Sequence, residues 1–133
     1  MGYLTRATIV QSPRSQEPFD LQDGASVEFL GVVRGEEHGF PIDALEYEAY
    51  EPMAETVIGR LVEAARRSWP LHRVEVCHRV GRVPVGEVSV LVRVHAPHRD
   101  QAFAACRFLI DQIKGDAPIW KQALVGDHAR PIV

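Results

Sequence analysis

Val74-Glu75-Val76-Cys77-His78-Arg79-Val80 and Glu87-Val88-Ser89-Val90-Leu91-Val92-Arg93-Val94-His95 decide the fold. Both runs are dense in β-branched residues, which favour extended backbone. The glycine-bounded link Gly81-Arg82-Val83-Pro84-Val85-Gly86 is expected to join them as an antiparallel pair. On either side the period changes. From Pro52 to Trp69, Met53, Val57, Leu61 and Ala65 recur every four residues with Ile58 and Val62 alongside, which predicts an amphipathic helix. Pro52 suits its first turn and Pro70 ends it. From His98 to Lys114 a second helix is expected, with Ala102, Phe103, Cys106, Leu109, Ile110 and Ile113 as its apolar stripe. Asp100 complements the dipole at its start, and Gly115 fits a left-handed cap at its end.

Farther out, Ile42–Tyr50 alternates as a strand with one mostly buried side, Ile42, Ala44, Glu46, Glu48 and Tyr50 facing one way. Gly24–Arg34 reads as a strand with Val27, Phe29 and Gly31 on one face, and Tyr3–Val10 as a short edge strand. Ile119–Val125 is expected to return as the last strand before a short polar tail. Gln11–Asp23 reads as a loop, and Gly35-Glu36-Glu37-His38-Gly39 as a mobile polar loop. The order β-β-β-α-β-β-α-β predicts an α+β sandwich, a mixed, mostly antiparallel sheet with two main helices, rather than a regular parallel βαβ fold. With 133 residues, no internal repeat and no dividing linker, residues 1–133 are expected to form a single domain.

Composition narrows the function. Hydrophobic residues are 46% and charged residues 25%, which argues against disorder. No apolar run approaches the ~18 residues of a bilayer span, and Met1-Gly2-Tyr3-Leu4-Thr5-Arg6 lacks the layout of a signal peptide. Cys77 and Cys106 give no disulfide framework and no paired metal spacing, so a reducing, cytoplasmic setting is expected. A net charge of -3 disfavours a general nucleic-acid binder.

Of the 15 basic residues only Lys114 and Lys121 are lysines. Guanidinium stays charged, whereas an amine can release a proton and act as acid, base or nucleophile. Lys114 should close the second helix, and Lys121 should follow the turn at Gly115-Asp116-Ala117-Pro118. If the return brings them together, mutual repulsion and burial beside Trp120 would each lower an amine pKa. A dipole-stabilised lysine at a helix end and a solvated strand lysine would leave the same spacing. His98-Arg99, at a helix start with unpaired N–H groups, could seat an anion or sit in solvent as an ordinary first turn. Arg34, at a strand end, offers a third anion contact or a solvated charge.

Other groups favour plainer readings. Glu46, Glu48, Glu51 and Glu55 read as a solvated face or helix-start charge. His38, His72, His78, His95 and His128 show no HxH or HExxH spacing, so no metal site is expected. Cys77 and His78 are strand neighbours pointing to opposite faces, and Cys106 belongs to the core stripe. No phosphate-binding glycine loop occurs, since Gly81–Gly86 lacks the required spacing.

Phe29-Leu30-Gly31-Val32-Val33-Arg34, Leu45-Glu46-Tyr47-Glu48-Ala49-Tyr50 with Pro52-Met53-Ala54-Glu55, Trp69-Pro70-Leu71, His78-Arg79-Val80-Gly81, His98-Arg99 and Lys114 through Ala117-Pro118-Ile119-Trp120 to Lys121 form an ordered set. From about Gly24 to Gln122, this set closely resembles the large, catalytic subunit of molybdopterin synthase. The resemblance implies an α/β hammerhead-type fold. It implies conversion of cyclic pyranopterin monophosphate to molybdopterin by installing two dithiolene sulfurs. The sulfur donor would be a small ubiquitin-like carrier whose C-terminal Gly-Gly thiocarboxylate enters a pocket on the large subunit. A homodimer within a heterotetramer is implied, and no cofactor or metal.

The resemblance makes Lys114 and Lys121 the catalytic residues, and Arg34, His98, Arg99, Gln122 and Ala123 substrate-binding residues. Gly35-Glu36-Glu37-His38 departs from the Asn-rich loop common in relatives, and Pro97 stands where a small residue is usual. The chain ends at Pro131-Ile132-Val133 without a Gly-Gly tail, so a separate carrier chain is expected. The rival expectation is a non-catalytic module of the same fold that binds an anion or the carrier.

Overall fold

A computed structural model describes residues 2–9, 19–126 and 128–130, the last three as backbone. Among the described residues, ten strands and two helices follow in the order β1 (Gly2–Thr5), β2 (Ala25–Val32), β3 (Glu36–Glu37), β4 (Phe40–Pro41), β5 (Ala44–Ala49), α1 (Glu51–Ser68), β6 (Arg73–Arg79), β7 (Gly81–Pro84), β8 (Val88–Ala96), α2 (Arg99–Asp116), β9 (Ile119–Val125) and β10 (His128–Arg130). They form an α+β fold with two four-stranded sheets. The larger-cored sheet has the order β1-β6-β8-β2 and the other β10-β9-β5-β7. Only the β1–β6 pair is parallel in these two sheets. The expected antiparallel pairing of the two β-rich runs is present, with Val76 opposite Val92 and Cys77 opposite Leu91.

Every residue of β8 is buried. Val88, Val90, Val92 and Val94 alternate with Ser89, Leu91, Arg93 and His95, and both faces are covered. On one side Val90, Val92 and Val94 join Ile58, Val62, Ala65, Leu109 and Ile113 of the two helices in the main core. On the other side Arg93 spans neighbouring strands, pairing with Glu75 Oε1 at 2.8 Å and with the Glu28 carboxylate. Cys106 lies in the main core as expected, and burial pushes its thiol up to about 11.

Several expectations are corrected. The link Gly81–Gly86 is not a plain connection: its first four residues form β7, which leaves the first sheet and pairs with β5 of the second. Gly81, at φ +89°, permits the turn between sheets without Cβ strain. The α1 stripe is rotated by about one residue: Ala54, Ile58, Val62 and Ala65 are buried, while Met53 is exposed. In α2, Ala105 takes the inward place expected of Phe103, which is exposed. Helix α2 continues through Gly115 and ends on extended Ala117, whose N–H donates to the Ile113 carbonyl. Residues 35–39 are not a plain loop: β3 and β4 pair around His38 and Gly39, both at positive φ, the geometry of a tight hairpin turn. In β5 both Ala44 and Leu45 are buried, so its start is covered on two sides. Part of the expected tail is β10. Residues 10–18, within the strand and loop expected near the start, lie outside the described residues.

Glu51 pairs with Arg6 at 3.0 Å and Glu55 accepts the Leu4 N–H, so these carboxylates tie the start of α1 to the β1 segment. No helix among the described residues is long and apolar enough to cross a membrane.

Candidate active site

Where the two sheets meet, a cleft of about 450 Å³ opens. The end of β2 contributes Phe29, Gly31 and Val32, followed by Val33 and Arg34. Gly31 is required there: a Cβ would lie 2.5 Å from Val90 Cγ1, inside the wall of the cleft. The second sheet supplies Tyr47 from β5 and Ile119, Trp120 and Lys121 from β9. The last turns of α2 supply Ile110, Ile113 and Lys114. Lys114 also sits where a cation is favoured by the helix dipole. Thus Arg34, Lys114 and Lys121, dispersed in sequence, line one concavity.

The two amines are not alone. Lys121 Nζ lies 3.5 Å from Glu37 Oε1 on the β3–β4 hairpin. His78 lines the same cleft, with Nδ1 2.7 Å from the Arg79 carbonyl oxygen. That oxygen accepts the Nδ1 proton, which leaves Nε2 of the neutral ring as an acceptor. Burial pushes the His78 pKa down, its bond to Arg79 works against this, and the Lys114 charge adds to the lowering. Tyr47 meets His78 edge to face, with ring centroids 5.0 Å apart. Positive charge, a neutral imidazole and a half-exposed indole give a site that can hold an anion and move protons beside it.

The other expected site residues lie elsewhere. His98 caps the N-terminus of α2, its N–H donating to Gln101 Oε1 at 3.2 Å, and Arg99 follows. At 1.5 Å rise per residue, Arg99 is roughly 22 Å along α2 from Lys114. Neither His98 nor Arg99 lines the cleft of its own chain. Gln122 is exposed and pairs with Glu46 across β5. Ala123 does not present its side chain to the cleft: it is buried in the second core with Val33, Ile42, Leu45 and Val83. Its small apolar side chain fits that core, and only its backbone remains for contact.

His78 and Glu37 escaped sequence reasoning. His78 sits in a strand whose neighbours are also buried, so alternation does not single it out. Glu37 belongs to a segment read as a loop. Away from the cleft, Asp23, His72 and His95 meet the expectation of no metal site with an exception: their ligand atoms all lie within 4.8 Å of one another.

A sequence model of the MoaE protein family matches residues 6–116. This chain is a member of the MoaE family. Among curated relatives it is 49% identical over 104 residues to the molybdopterin synthase catalytic subunit of Nostoc sp., covering 77% of this chain and 63% of that protein. It is 45% identical to the subunit of the same name from Arabidopsis thaliana, covering 76% and 51%. The MoaE-family chain thus spans between about half and two thirds of the length of these two relatives. The crystal structure of molybdopterin synthase from Staphylococcus aureus superposes with a TM-score of 0.86 at 31% identity, covering 96% of this chain and 93% of that one. A complex of subunits 1 and 2 of molybdopterin-converting factor from Helicobacter pylori matches with a TM-score of 0.70 at 27% identity, covering 81% and 70%.

Proposed function

We propose that this chain is the catalytic subunit of a molybdopterin synthase, a sulfurtransferase. It would take sulfur from the thiocarboxylated C-terminus of a small ubiquitin-like carrier and place it on cyclic pyranopterin monophosphate to build the dithiolene. The convergence of Arg34, Lys114 and Lys121 on one cleft in a MoaE-family chain carries this reading. A phosphate-bearing pterin needs fixed positive charge, which Arg34 supplies without titrating. Cleavage of a thiocarboxylate develops an oxyanion and requires proton transfer. An ammonium beside the carrier's terminal carbonyl serves both needs. Lys114 is assigned that role, with Lys121 holding the substrate and tuning the charge of its neighbour. The names of the curated relatives and the two-subunit complex from Helicobacter pylori support a separate small partner.

His98 and Arg99 are assigned to the anion pocket of a second copy. Their place at the far end of α2 keeps them from the cleft of their own chain. A homodimer with its α2 starts facing the partner's clefts would complete each site.

Turnover with thiocarboxylated carrier and cyclic pyranopterin monophosphate tests the reading. Lys114→Arg keeps the charge and removes the readily titrated amine, so dithiolene formation is expected to fall by at least a hundredfold. Near-normal formation would reject the acid/base role. Carrier binding with no turnover by the unaltered chain would leave a docking module instead. Mixing Lys114→Ala chains with Arg99→Ala chains is expected to restore part of the activity, because a mixed dimer retains one intact site. Inactive mixtures of dimers that have exchanged subunits would reject the shared pocket.

A further inference from the structure

At the opposite end of the first sheet from the cleft, three strands begin or end beside one another. Asp23 precedes β2, His72 precedes β6 and His95 lies near the end of β8. The His72 N–H donates to the His95 carbonyl at 3.0 Å, so backbone pairing fixes these two residues side by side. The third is held by a turn in which Asp23 N–H donates to the Asp20 carbonyl and Asp20 N–H donates to Asp23 Oδ2. Gly24 lets that turn close against the next segment: a Cβ there would lie 2.1 Å from the Pro97 carbonyl oxygen.

The side chains converge. His72 Nδ1 lies 2.7 Å from Asp23 Oδ2, and His95 Nδ1 lies 3.6 Å from the same oxygen. His95 is completely buried, yet among the described residues neither of its ring nitrogens has a hydrogen-bond partner. A buried imidazole with both nitrogens unpaired is costly, and native proteins rarely leave one so. The 3.6 Å separation is too long for a hydrogen bond. It is close to the about 3.3 Å between two ligand atoms on a tetrahedral ion with 2.0–2.1 Å bonds.

We propose that Asp23, His72 and His95 form a binding site for a divalent transition-metal ion of the zinc class. Two imidazoles and one carboxylate are borderline donors that suit zinc, and no thiol is among them to favour a softer ion. The ion replaces the proton shared by His72 Nδ1 and Asp23 Oδ2, and it gives the buried His95 ring the partner it lacks. The 2.7 Å pair opens by about half an ångström, and the ligand atoms, which all lie within 4.8 Å of one another, draw in at their widest pair to reach tetrahedral spacing. Asp20, Gln22, Arg66 and Leu71 line an open pocket beside Asp23 and His72, through which water reaches the fourth position. The ion is structural: it fastens the starts of β2 and β6 to the end of β8, and so steadies the Pro97–His98 entry into α2.

None of these ligands lines the Lys114–Lys121 cleft, so the test is separate from sulfur transfer. The full chain, stripped with chelator, is titrated with Zn²⁺, and with Co²⁺ as a coloured substitute that reports coordination geometry. One ion per chain is expected, with a tetrahedral Co²⁺ spectrum and a thermal midpoint raised by Zn²⁺. Asp23→Asn and His72→Gln, both close in shape to the residues they replace, are each expected to weaken binding at least tenfold and remove the Zn²⁺ shift. Failure of the unaltered chain to bind a stoichiometric ion overturns the site. So does retention of full affinity by both variants, which would place the ion on unrelated surface histidines.

Discussion

The two sheets bury very different amounts of apolar surface. The first stacks β6, β8 and β2 against both helices, and its core gathers fifteen buried residues among those described, Ile58, Val92 and Leu109 included. The second gathers five, Val33, Ile42, Leu45, Val83 and Ala123, with Tyr47 against them. Yet the second sheet and its seam with the first carry the cleft, including Lys121, Trp120 and the hairpin with Glu37. Burial scales with stability at roughly 25 cal/mol per Å². The helix-backed sheet therefore supplies most of the fold's stability, and the thinner sheet is free to keep charges unsatisfied by burial and open to a ligand. Stability and reactivity are separated in space, and substitutions should separate them too.

The largest effect is expected at the seam. Lys114→Ala should lower turnover by about 10²–10⁴-fold, the range for loss of a positioned proton donor. Lys114 is exposed, so the thermal midpoint should move by no more than the usual surface change of about 0.5 kcal/mol. Paired turnover and denaturation measurements check this. A Lys114→Ala chain that loses several kcal/mol of stability would merge the two roles that the sheets divide.

Next comes the converse on the helix-backed side. Ile58 is fully buried, facing β1 so closely that a Cβ on Gly2 would lie 2.3 Å from its Cγ2. Ile58→Ala should cost about 2–5 kcal/mol in chemical denaturation. Turnover per folded molecule should stay near its unaltered value, since Ile58 does not line the cleft.

What was legible in the sequence follows the same division. Elements whose burial is periodic announce themselves: β8 by a valine at every second position from Val88 to Val94, and α1 and α2 as stripes. The errors fall where small residues do the packing. Ala54 and Ala105 face inward because the helices lie close, while the larger Met53 and Phe103 turn out. Hydrophobicity alone ranks those pairs the other way. The strand β7 hid in a link because Gly81 and Pro84 read as turn residues, although Val83 is completely buried. At the cleft, the scarcity of lysine made Lys114 and Lys121 visible. His78 was not, because its role depends on Tyr47 and Lys114 arriving from other elements. The Asp23–His72–His95 group was invisible for the same reason: its members lie at the ends of three different strands and share no spacing.

A smaller effect is expected from His78, which couples the two sheets. Its pKa is lowered in the folded state, chiefly by burial. The unfolded chain therefore takes up the proton first as pH falls. The neutral ring's contribution is complete above the unfolded value of about 6.5 and is lost as pH falls from there toward the lowered folded value. Denaturation midpoints should decline between pH 7 and pH 5. His78→Gln should flatten this decline by up to about 1.4 kcal/mol per pH unit, the slope for one proton. His95, whose pKa burial also lowers, keeps part of the slope in the variant. An unchanged slope in His78→Gln would mean that the ring is solvated and does not face the amine in the cleft.

The smallest effect belongs to the hairpin. Glu37 reaches Lys121 at 3.5 Å, and the lysine side chain is 42% exposed. The Glu37 side chain is only 10% exposed, but a pair at this separation with its cation open to water contributes about 1 kcal/mol. Glu37→Gln should therefore leave the denaturation midpoint almost unchanged. It should act instead on the cleft's charge: with one carboxylate fewer, an anionic substrate meets a more positive wall and its KM should fall by a few-fold, while kcat stays within a factor of two. Raising the ionic strength screens exposed charges over about 8–10 Å and should erase that gain. A KM that rises in Glu37→Gln would show that the carboxylate orients Lys121 toward the ligand. The thin sheet would then be ordered by its ion pair, in place of the apolar core that orders its neighbour.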